Sequence, residues 1–329
     1  MASRYKGLVL AAGFGTRLRP LTDYYPKPLV PFAGTNPLSI AIAKLENIGI
    51  KDIAINSHYH ANQIADVVNS IQRANTSLAL YLSFEPEILG TGGALNPLRS
   101  WLGDAPLVII NGDVVSTVSL VELIKTHENQ NACASMALLP SVIAGESAVY
   151  HRDGLIKSIS KSAPLTGATP GNFACAQVIT KKFLDLIPKQ GAFDIISKGY
   201  LPAIAADLSI ASFVHDGYWH DLGTPKSYLR ALLNIFDMPA HSNKGRLGSD
   251  FPSTNMNFDS SQQTLIHPDA RISSQAKVGR RTVIEAGAVI GDNSVVTESI
   301  ILPGASISTG ETIHRMIIGS DFRLNVSLD

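Results

Sequence analysis

A six-residue period in the C-terminal part of the chain constrains the fold more than any other feature of the sequence. Isoleucine or valine stands at every sixth position from Ile266 to Val296, and after a shift of one residue the period continues from Ile301 to Ile313. A small residue stands two positions before each aliphatic residue between 272 and 296. Such hexapeptide repeats are typical of a parallel β-helix, whose stacked coils direct aliphatic side chains inwards. We therefore predict a short left-handed parallel β-helix over residues 264–329, with about three coils.

The first 236 residues show a different pattern, in which short apolar runs alternate with longer amphipathic ones. The pattern predicts strands at 6–12, 51–56, 78–84 and 107–112, and helices at 60–73 and 119–130. Alternating strands and helices imply right-handed crossovers and a mostly parallel sheet covered on both faces. We therefore expect an α/β, Rossmann-like domain whose ligands bind at the carboxyl ends of the strands.

The stretch between these two patterns has no periodicity. Residues 237–263 are rich in serine, asparagine, aspartate, glycine and proline, which is typical of a linker or a long surface loop. The expected organisation is therefore a first domain over 1–236, a linker over 237–263 and a repeat domain over 264–329.

The charge balance limits the possible partners. The 27 basic residues are matched by 27 acidic ones, so no overall field attracts nucleic acid or an anionic membrane, and any anion must bind at a local site. Cys133 and Cys175 form neither a spaced metal cluster nor a disulfide framework. No stretch reaches the roughly 18 consecutive apolar residues of a membrane span. We therefore expect a cytoplasmic protein without nucleic-acid or membrane partners.

A glycine turn follows the first predicted strand, in LVLAAGFGTRLRPLTDYYPKP at residues 8–28. A dinucleotide-binding fingerprint requires a third glycine where Leu18 stands, and a P-loop requires a lysine directly after its last glycine, which Gly15 lacks. The remaining possibility is a turn whose backbone approaches a nucleotide, followed by the phosphate-binding cations Arg17 and Lys27. The expected nucleotide-binding residues in this stretch are Leu10, Ala12, Gly13, Gly15 and Thr16.

Four segments of the chain together resemble the sugar-1-phosphate nucleotidylyltransferases, the enzymes that make nucleotide sugars. They are AAGFGTRLRPLTDYYPKPLVPFAG (11–34), LGTGGAL (89–95), IINGDVV (109–115) and GYWHDLGTPKSYLRA (217–231). The resemblance implies a mixed-sheet α/β nucleotidyltransferase fold and dependence on Mg²⁺. It also implies that a sugar 1-phosphate attacks the α-phosphate of a nucleoside triphosphate. In motif the chain is most similar to mannose-1-phosphate or heptose-1-phosphate guanylyltransferases with a C-terminal hexapeptide-repeat domain.

Two aspartates stand where a metal ion can be held. Asp113 closely follows the apolar run LVII, and Asp221 lies in the rigid sequence WHDLGTP. A carboxylate at the end of a buried strand is costly to bury unless it is paired or binds a metal ion. Two carboxylates at one edge of a sheet suit Mg²⁺, which prefers oxygen ligands and keeps several waters. We therefore expect Asp113 and Asp221 to be catalytic residues that bind Mg²⁺.

The resemblance also implies roles for the cations. Arg17 is expected to contact the β- and γ-phosphates, and Lys27 is expected to bridge the α-phosphate and the sugar phosphate. Lys161, in LIKSISKSA, matches a family lysine that binds the sugar phosphate, although its neighbours differ from the family pattern. Asn172, in NFACAQVI, is the second expected sugar-phosphate-binding residue, and Cys175 in the same segment departs from the family pattern.

The segment around LGTGGAL is the best indicator of the base. We expect Gly90 and Thr91 to bind the nucleotide, and Glu85 to accept hydrogen bonds from N1–H and the exocyclic amine of guanine. Uracil offers only one N–H, so two charge-assisted bonds against one favour GTP by roughly 1–3 kcal/mol. The expected product is a GDP-sugar of the mannose or heptose type.

Three alternatives remain open from the sequence. The first is a UTP-dependent uridylyltransferase that acts on an amino-sugar 1-phosphate such as N-acetylmuramate 1-phosphate. The second is a non-catalytic regulatory paralogue, which would be expected to lose the four residues Arg17, Lys27, Asp113 and Asp221 that stand here. The third is a bifunctional acyltransferase, for which the repeat is short. The short repeat suggests instead that it packs against the first domain or serves to form a homo-oligomer.

Overall fold

The computed structural model describes residues 4–161, 165–238 and 255–328. Contacts divide the chain into unit 1, Met1–Gly13 with Lys44–Trp219, and unit 2, Phe14–Ala43 with His220–Asp329. The helices in chain order are α1 (Leu21–Tyr24), α2 (Pro37–Asn47), α3 (Ala61–Ala74), α4 (Gly90–Gly93), α5 (Arg99–Leu102), α6 (Leu120–Asn129), α7 (Lys181–Leu184), α8 (Leu201–Ala205) and α9 (Pro225–Asn234). The strands up to residue 221 are β1 (Lys6–Leu10), β2 (Asp52–Ser57), β3 (Ala79–Phe84), β4 (Leu107–Asn111), β5 (Val114–Ser116), β6 (Ala134–Leu139), β7 (Ala148–Arg152), β8 (Leu155–Ser160), β9 (Thr169–Ile179), β10 (Ile210–Val214) and β11 (Trp219–Asp221).

Unit 1 is built on a nine-stranded sheet in the order β3-β2-β1-β4-β9-β6-β10-β8-β7. The neighbours β3-β2, β2-β1, β1-β4 and β6-β10 are parallel, and the other four neighbouring pairs are antiparallel. The predicted α/β class and mixed sheet are therefore confirmed. The sheet is less parallel than expected because β7, β8 and β9 pair as antiparallel neighbours instead of returning through helical crossovers.

The predicted strands and helices of unit 1 agree with the structure to within about two residues, which is the usual uncertainty of element ends. Helix α3 buries Ile64 and Val68, four residues apart, as its amphipathic pattern requires. Helix α6 begins after Ser119, whose side chain accepts a hydrogen bond from the backbone N–H of Glu122. In the sheet, Leu10 of β1 is paired with Asn111 of β4. The glycine turn and the Asp113 turn therefore leave the sheet at the same edge.

Unit 2 contains short strands arranged in three sheets. These strands are β12 (Asn257–Asp259), β13 (Thr264–Ile266), β14 (Arg271–Ile272), β15 (Lys277–Val278), β16 (Thr282–Ile284), β17 (Val289–Ile290), β18 (Val295–Thr297), β19 (Ile300–Ile301), β20 (Ser306–Ile307), β21 (Thr312–His314), β22 (Met316–Ile318) and β23 (Arg323–Asn325). The sheet orders are β12-β13-β16-β19-β22-β23, β14-β17-β20 and β15-β18-β21. Their neighbours are parallel, apart from the antiparallel outermost pairs β12-β13 and β22-β23.

The register of these sheets explains the shift in the six-residue period. Thr264 pairs with Thr282, 18 residues later, whereas Val283 pairs with Ile300, 17 residues later. One corner between strands is therefore a residue shorter in the next coil. The aliphatic positions of the period lie together in one core cluster, with Ile284, Ile290, Val296, Ile301, Ile307 and Ile313 fully or almost fully buried. The arrangement agrees with the expected β-helix, and the hand of the coils stays a prediction.

The contact units divide the chain differently from the expected boundaries. Residues 14–43 and 220–236, expected in the first domain, belong to unit 2 with the short strands. Two contacts inside unit 2 show why: the Tyr228 hydroxyl donates to the Pro31 carbonyl, and the rings of Tyr24 and Phe322 stack at 5.6 Å. The expected linker contains β12, which pairs with β13, while residues 239–254 of it lie outside the described residues.

Within the described ranges, the helices are too short or too polar to cross a lipid bilayer.

Candidate active site

The glycine turn of unit 2 is held by close packing. Gly15 has φ 66°, and a Cβ atom there would lie 2.9 Å from Thr22 Cγ2 and 3.0 Å from Lys27 Cβ. The Thr22 hydroxyl donates to the Gly15 carbonyl over 2.9 Å. A short 3₁₀ turn over Thr16–Leu18 follows, and it presents Arg17 as an exposed side chain. Only glycine fits both the left-handed backbone and the contact with the Lys27 segment.

Lys27 is buried and paired. It begins a 3₁₀ turn, Lys27–Leu29, between Pro26 and Pro28, and only 7% of the residue is exposed. Its Nζ lies 2.9 Å from Oδ1 of Asp221, whose side chain is 39% exposed. A buried ammonium must be compensated by an opposite charge. The Asp221 carboxylate therefore compensates the charge of the buried Lys27.

The side chains of Arg17 and Asp221 both lie close to Gly223. A Cβ atom on Gly223 would lie 2.6 Å from Asp221 Oδ2 and 3.3 Å from Arg17 Nη2. The structure thus brings Arg17, Lys27 and Asp221 together within unit 2, although the first two are about two hundred residues from the third. Glycine at 223 leaves the room that this approach needs.

His220, next to Asp221, is neutral at physiological pH. Burial lowers its pKa to about 4, and the charge of Arg230 acts in the same direction. Its Nε2 lies 3.1 Å from the side-chain nitrogen of Asn234. The ring therefore adds no charge beside the aspartate.

A buried chain of hydrogen bonds joins the strand ends of unit 1. The backbone N–H of Ala11 donates to Asn56 Oδ1 over 2.6 Å, and Asn56 Nδ2 donates to Glu85 Oε1 over 2.8 Å. The backbone N–H of Leu89 donates to Glu85 Oε2 over 2.9 Å. These bonds tie the glycine turn after β1 to the ends of β2 and β3 and to the LGTGGAL segment. A fully satisfied buried network of this kind makes the strand ends rigid.

Glu85 lies inside this network. The residue is 1% exposed, and each carboxylate oxygen already accepts a hydrogen bond inside the protein. The expected hydrogen bonds from guanine to Glu85 would add to these two, and they stay a prediction. Asn56 was not identified from the sequence. Its position could have indicated it, because it is a polar residue near the end of a largely apolar strand.

The glycines of LGTGGAL pack against the segment 193–195 of the same unit. A Cβ atom would lie 2.7 Å from the Phe193 carbonyl at Gly90 and 2.3 Å from the Phe193 ring at Gly92. The Thr91 hydroxyl lies 3.2 Å from Asp194 Oδ1 and accepts from the backbone N–H of Ile195. Close packing therefore explains these residue types, and their contact with nucleotide stays a prediction.

The remaining predicted residues of unit 1 lie in different environments. Asp113 is half-buried in the turn between β4 and β5, and the neighbouring Gly112 N–H donates to the Leu10 carbonyl over 2.8 Å. Lys161 is exposed directly after β8, and residues 162–164 beside it lie outside the described residues. Asn172 is 5% exposed and its Oδ1 accepts from the backbone N–H of Ile143 over 2.6 Å. That oxygen therefore holds a loop, and contact of Asn172 with the sugar phosphate stays a prediction.

The backbone positions expected to bind the nucleotide divide between the units. Leu10 is half-buried at the end of β1, and Ala12 is buried at 6% exposed. At Gly13 a Cβ atom would meet open space. Thr16 is exposed in the 3₁₀ turn of unit 2. The glycine at position 13 is thus not required by packing within the protein.

Asp113 and Asp221 are the two expected metal ligands. Among the described residues, no three histidine, cysteine, aspartate or glutamate side chains form a metal-binding group. Asp221 keeps a partly exposed carboxylate, and Asp113 lies half-buried in a turn. Mg²⁺ commonly takes one or two carboxylates together with substrate phosphates and water. Mg²⁺ binding by Asp113 and Asp221, which belong to different units, therefore stays a prediction.

Two family models match the chain. A model described as nucleotidyl transferase matches residues 6–149, and one described as the GMPPB C-terminal domain matches residues 260–327.

Similar proteins cover almost the whole chain. The mannose-1-phosphate guanyltransferase of Yarrowia lipolytica is 30% identical over 325 residues, which is 97% of this chain and 87% of the relative. The mannose-1-phosphate guanylyltransferase of Mycobacterium tuberculosis is 28% identical over 321 residues, which is 94% of this chain and 82% of the relative. The crystal structure of HddC from Yersinia pseudotuberculosis complexed with GMP-PN has a TM-score of 0.57 at 24% identity and covers 69% of this chain and 97% of HddC.

Proposed function

Because this chain belongs to the sugar-1-phosphate nucleotidylyltransferases, enzymes that transfer a nucleoside monophosphate from a nucleoside triphosphate to a sugar 1-phosphate, we propose that it uses GTP and a sugar 1-phosphate of the mannose or heptose type. The relatives that cover most of the chain support this choice, since their names specify mannose 1-phosphate and a guanylyl group. The product is then a GDP-sugar, and pyrophosphate is released.

The observation that carries the proposed mechanism is the buried Lys27 paired with Asp221 beside Arg17. An oxygen of the sugar phosphate attacks the α-phosphorus, and the bond to the oxygen bridging the α- and β-phosphorus breaks as pyrophosphate leaves. Arg17 binds the leaving β- and γ-phosphates, and Lys27 contacts the α-phosphate as charge redistributes. The nucleophile is already an anion at neutral pH, so no general base is needed.

Asp113 and Asp221 are the proposed protein ligands of Mg²⁺. When bound, the ion neutralises the triphosphate and stabilises charge in the transition state. Asp221 also holds Lys27 before the substrates arrive, so one carboxylate serves the metal and the lysine in turn. We retain Lys161 and Asn172 as proposed contacts of the sugar phosphate. The proposed nucleotide contacts are Leu10, Ala12, Gly13, Gly15, Thr16, Glu85, Gly90 and Thr91.

The test is a matrix of five nucleoside triphosphates against a panel of sugar 1-phosphates with Mg²⁺, read by pyrophosphate release. We expect GTP with mannose 1-phosphate or a heptose 1-phosphate to exceed UTP at least about tenfold, which corresponds to about 1.4 kcal/mol of discrimination. A dominant UTP signal with an amino-sugar 1-phosphate contradicts the proposal, and so does a matrix without any signal. Asp113→Asn and Asp221→Asn are assayed beside the wild type, and a near-wild-type rate in either removes that residue from the metal site.

The C-terminal strands and the cellular context complete the proposal. We propose that the three sheets of short strands coil in the left-handed sense. We also propose that the chain forms a homo-oligomer, whose molar mass is measured by light scattering after size-exclusion chromatography. Both cysteines are free thiols, one of them buried, which suits a cytoplasmic, reducing environment.

A further inference from the structure

The turn Phe32–Thr35 of unit 2 holds an unfavourable backbone. Phe32 and Thr35 exchange two backbone hydrogen bonds, of 2.8 and 3.1 Å. The two residues between them both have positive φ, 51° at Ala33 and 78° at Gly34. A side chain with a Cβ atom rarely adopts this conformation, and Ala33 is completely buried. Another interaction must therefore stabilise the turn.

That interaction comes from Glu285, the residue directly after β16. Its side chain is buried, with 3% of the residue exposed. Both carboxylate oxygens lie 3.1 Å from the backbone nitrogen of Gly34, and the backbone of Ala33 is a second hydrogen-bond partner. Consecutive N–H groups in a tight turn form a concave site for an anion. The carboxylate fills this site and compensates for the strained backbone.

The turn is joined to Lys27 by a short and rigid segment. Only four residues separate Lys27 from Phe32, and two of them, Pro28 and Pro31, have a fixed φ. The Pro31 carbonyl accepts a hydrogen bond from the buried Tyr228 hydroxyl. A displacement of the turn is therefore transmitted to the backbone of Lys27.

We propose that Glu285 is a positioning residue for nucleotidyl transfer: its carboxylate holds the Phe32–Thr35 turn and so fixes the ammonium group of Lys27 for the reacting phosphate. The proposal rests on the proposed role of Lys27 in the reaction. It assigns the C-terminal strands a direct part in catalytic geometry in addition to packing and assembly.

The first test compares Glu285→Ala and Glu285→Gln with the wild type at pH 8. We expect kcat to fall about ten- to a hundredfold in Glu285→Ala, the range that a displacement near 1 Å produces, while KM for GTP changes less than about threefold. Glu285→Gln keeps one acceptor oxygen, and its kcat is expected to lie between those of the wild type and Glu285→Ala. Glu311→Gln is the matched control, because this glutamate of the same strand array pairs with Arg323 at the surface and is expected to keep the wild-type kcat.

The second test uses Ala33→Gly as a rescue. Glycine adopts the positive φ without strain, so Ala33→Gly should restore most of the kcat lost in Glu285→Ala or Glu285→Gln. A double-mutant cycle with non-additive kcat values supports the proposal. A folded Glu285 variant with wild-type kcat overturns the proposal. A decrease in kcat that Ala33→Gly does not reverse also overturns it. If Glu285→Ala does not fold, Glu285→Gln with and without Ala33→Gly decides.

Lys27→Met separates the two proposals. If Lys27→Met is inactive while the Glu285 and Ala33 substitutions have additive effects on kcat, only the positioning role of Glu285 is wrong. A fully active Lys27→Met instead removes the proposed role of Lys27 in the reaction.

Discussion

At the scale of single residues, the site depends on a lysine that the protein buries and pairs with one partly exposed aspartate. An ion pair of this kind contributes little net stability, because desolvation offsets most of the attraction. Lys27 is therefore better explained by its chemistry than by the stability of the fold. Its sequence context, a lysine between two prolines, identifies it in advance, whereas its partner is 194 residues away and cannot be predicted from one sequence.

Lys27→Met is expected to separate activity from stability. The pyrophosphate-release rate should fall at least about a hundredfold, because an electrostatic contact to the transition state is lost. The melting temperature should stay unchanged or rise, because methionine fills a similar buried volume and the partly exposed Asp221 can be solvated. Differential scanning fluorimetry and the rate assay measure the two effects. Lys125→Met, at an exposed lysine paired with Glu122, is the control, and a wild-type rate in Lys27→Met contradicts the assignment.

Glu85→Gln tests whether the carboxylate positions the strand ends or reads the base. Because both oxygens of Glu85 are occupied by Asn56 and by the Leu89 N–H, we expect similar increases in KM for GTP and for UTP. The ratio of kcat/KM for GTP to kcat/KM for UTP should therefore change by less than about threefold. The loss of one hydrogen bond between the base and a charged group would change this ratio more. A selective loss of GTP turnover would instead support the expected base-reading role of Glu85.

Glu285 makes the stability of the protein depend on pH. Burial raises the pKa of this carboxyl to about 7, although hydrogen bonds from Gly34 and Ala33 act in the opposite direction. Tyr25 and Tyr228 face the same group, and the pKa of each is raised above its usual value of 10.0, so neither titrates near neutrality. A raised carboxyl pKa in the folded state means that its contribution is fully present below pH 4.5 and is lost as the pH rises through 7.

We therefore expect the wild type to lose up to about 3 kcal/mol of unfolding free energy between pH 4.5 and pH 8 relative to Glu285→Gln. Urea unfolding of both proteins at pH 5 and pH 8 measures this difference. Identical pH dependence of the two proteins contradicts the prediction.

At the scale of elements, the sequence predicts most strands and helices because apolar periodicity depends on local neighbours. The four strands and two helices predicted in unit 1 are all present. The position of β9 was not predictable, because its pairing with both β4 and β6 is set by residues far apart in the chain. The six-residue period was equally clear, yet it could not show that Glu285, one residue after an inward-facing position, contacts the turn at Gly34.

The two glycines of the first turn are expected to respond differently to alanine. Gly13→Ala should keep the wild-type melting temperature, because its Cβ meets open space, and should raise KM for the nucleotide about tenfold if the backbone approaches a phosphate. Gly15→Ala should lower the stability by about 1–2 kcal/mol or more, because φ is 66° and the new atom contacts Thr22 and Lys27. Thermal melts and nucleotide titrations distinguish the two. Unchanged KM in Gly13→Ala excludes nucleotide contact at that position.

At the scale of the whole molecule, the C-terminal strands share a unit with Lys27 and Arg17. Arg281 pairs with Asp237 over 2.8 Å, and Arg230 donates to the Leu328 carbonyl over 2.9 Å. Together with the contacts of Gly34 and Tyr24, these bonds link segments that the sequence assigned to different domains. Sequence patterns locate domains by changes in periodicity, and such changes carry no information about which segments pack together.

A chain that ends at residue 256 is expected to lose most of its activity. It lacks Glu285 and the ring of Phe322, so the segments 21–24 and 32–35 lose their partners. We expect kcat/KM to fall at least about tenfold, since the Lys27 segment is no longer fixed, together with a lower melting temperature. Phe322→Ala, which removes only the stacking contact with Tyr24, should have a smaller effect on both. A truncated protein with wild-type kcat/KM contradicts this view of unit 2.

The direction of the outermost strands of the longest C-terminal sheet limits how copies of the protein can associate. β12 and β23 run opposite to their neighbours β13 and β22, so both borders of this sheet differ from the parallel strands inside it. A coil from a second copy would meet a strand of the wrong polarity, and at one border also the exposed Arg323. Growth into a filament by stacking coil on coil is therefore disfavoured.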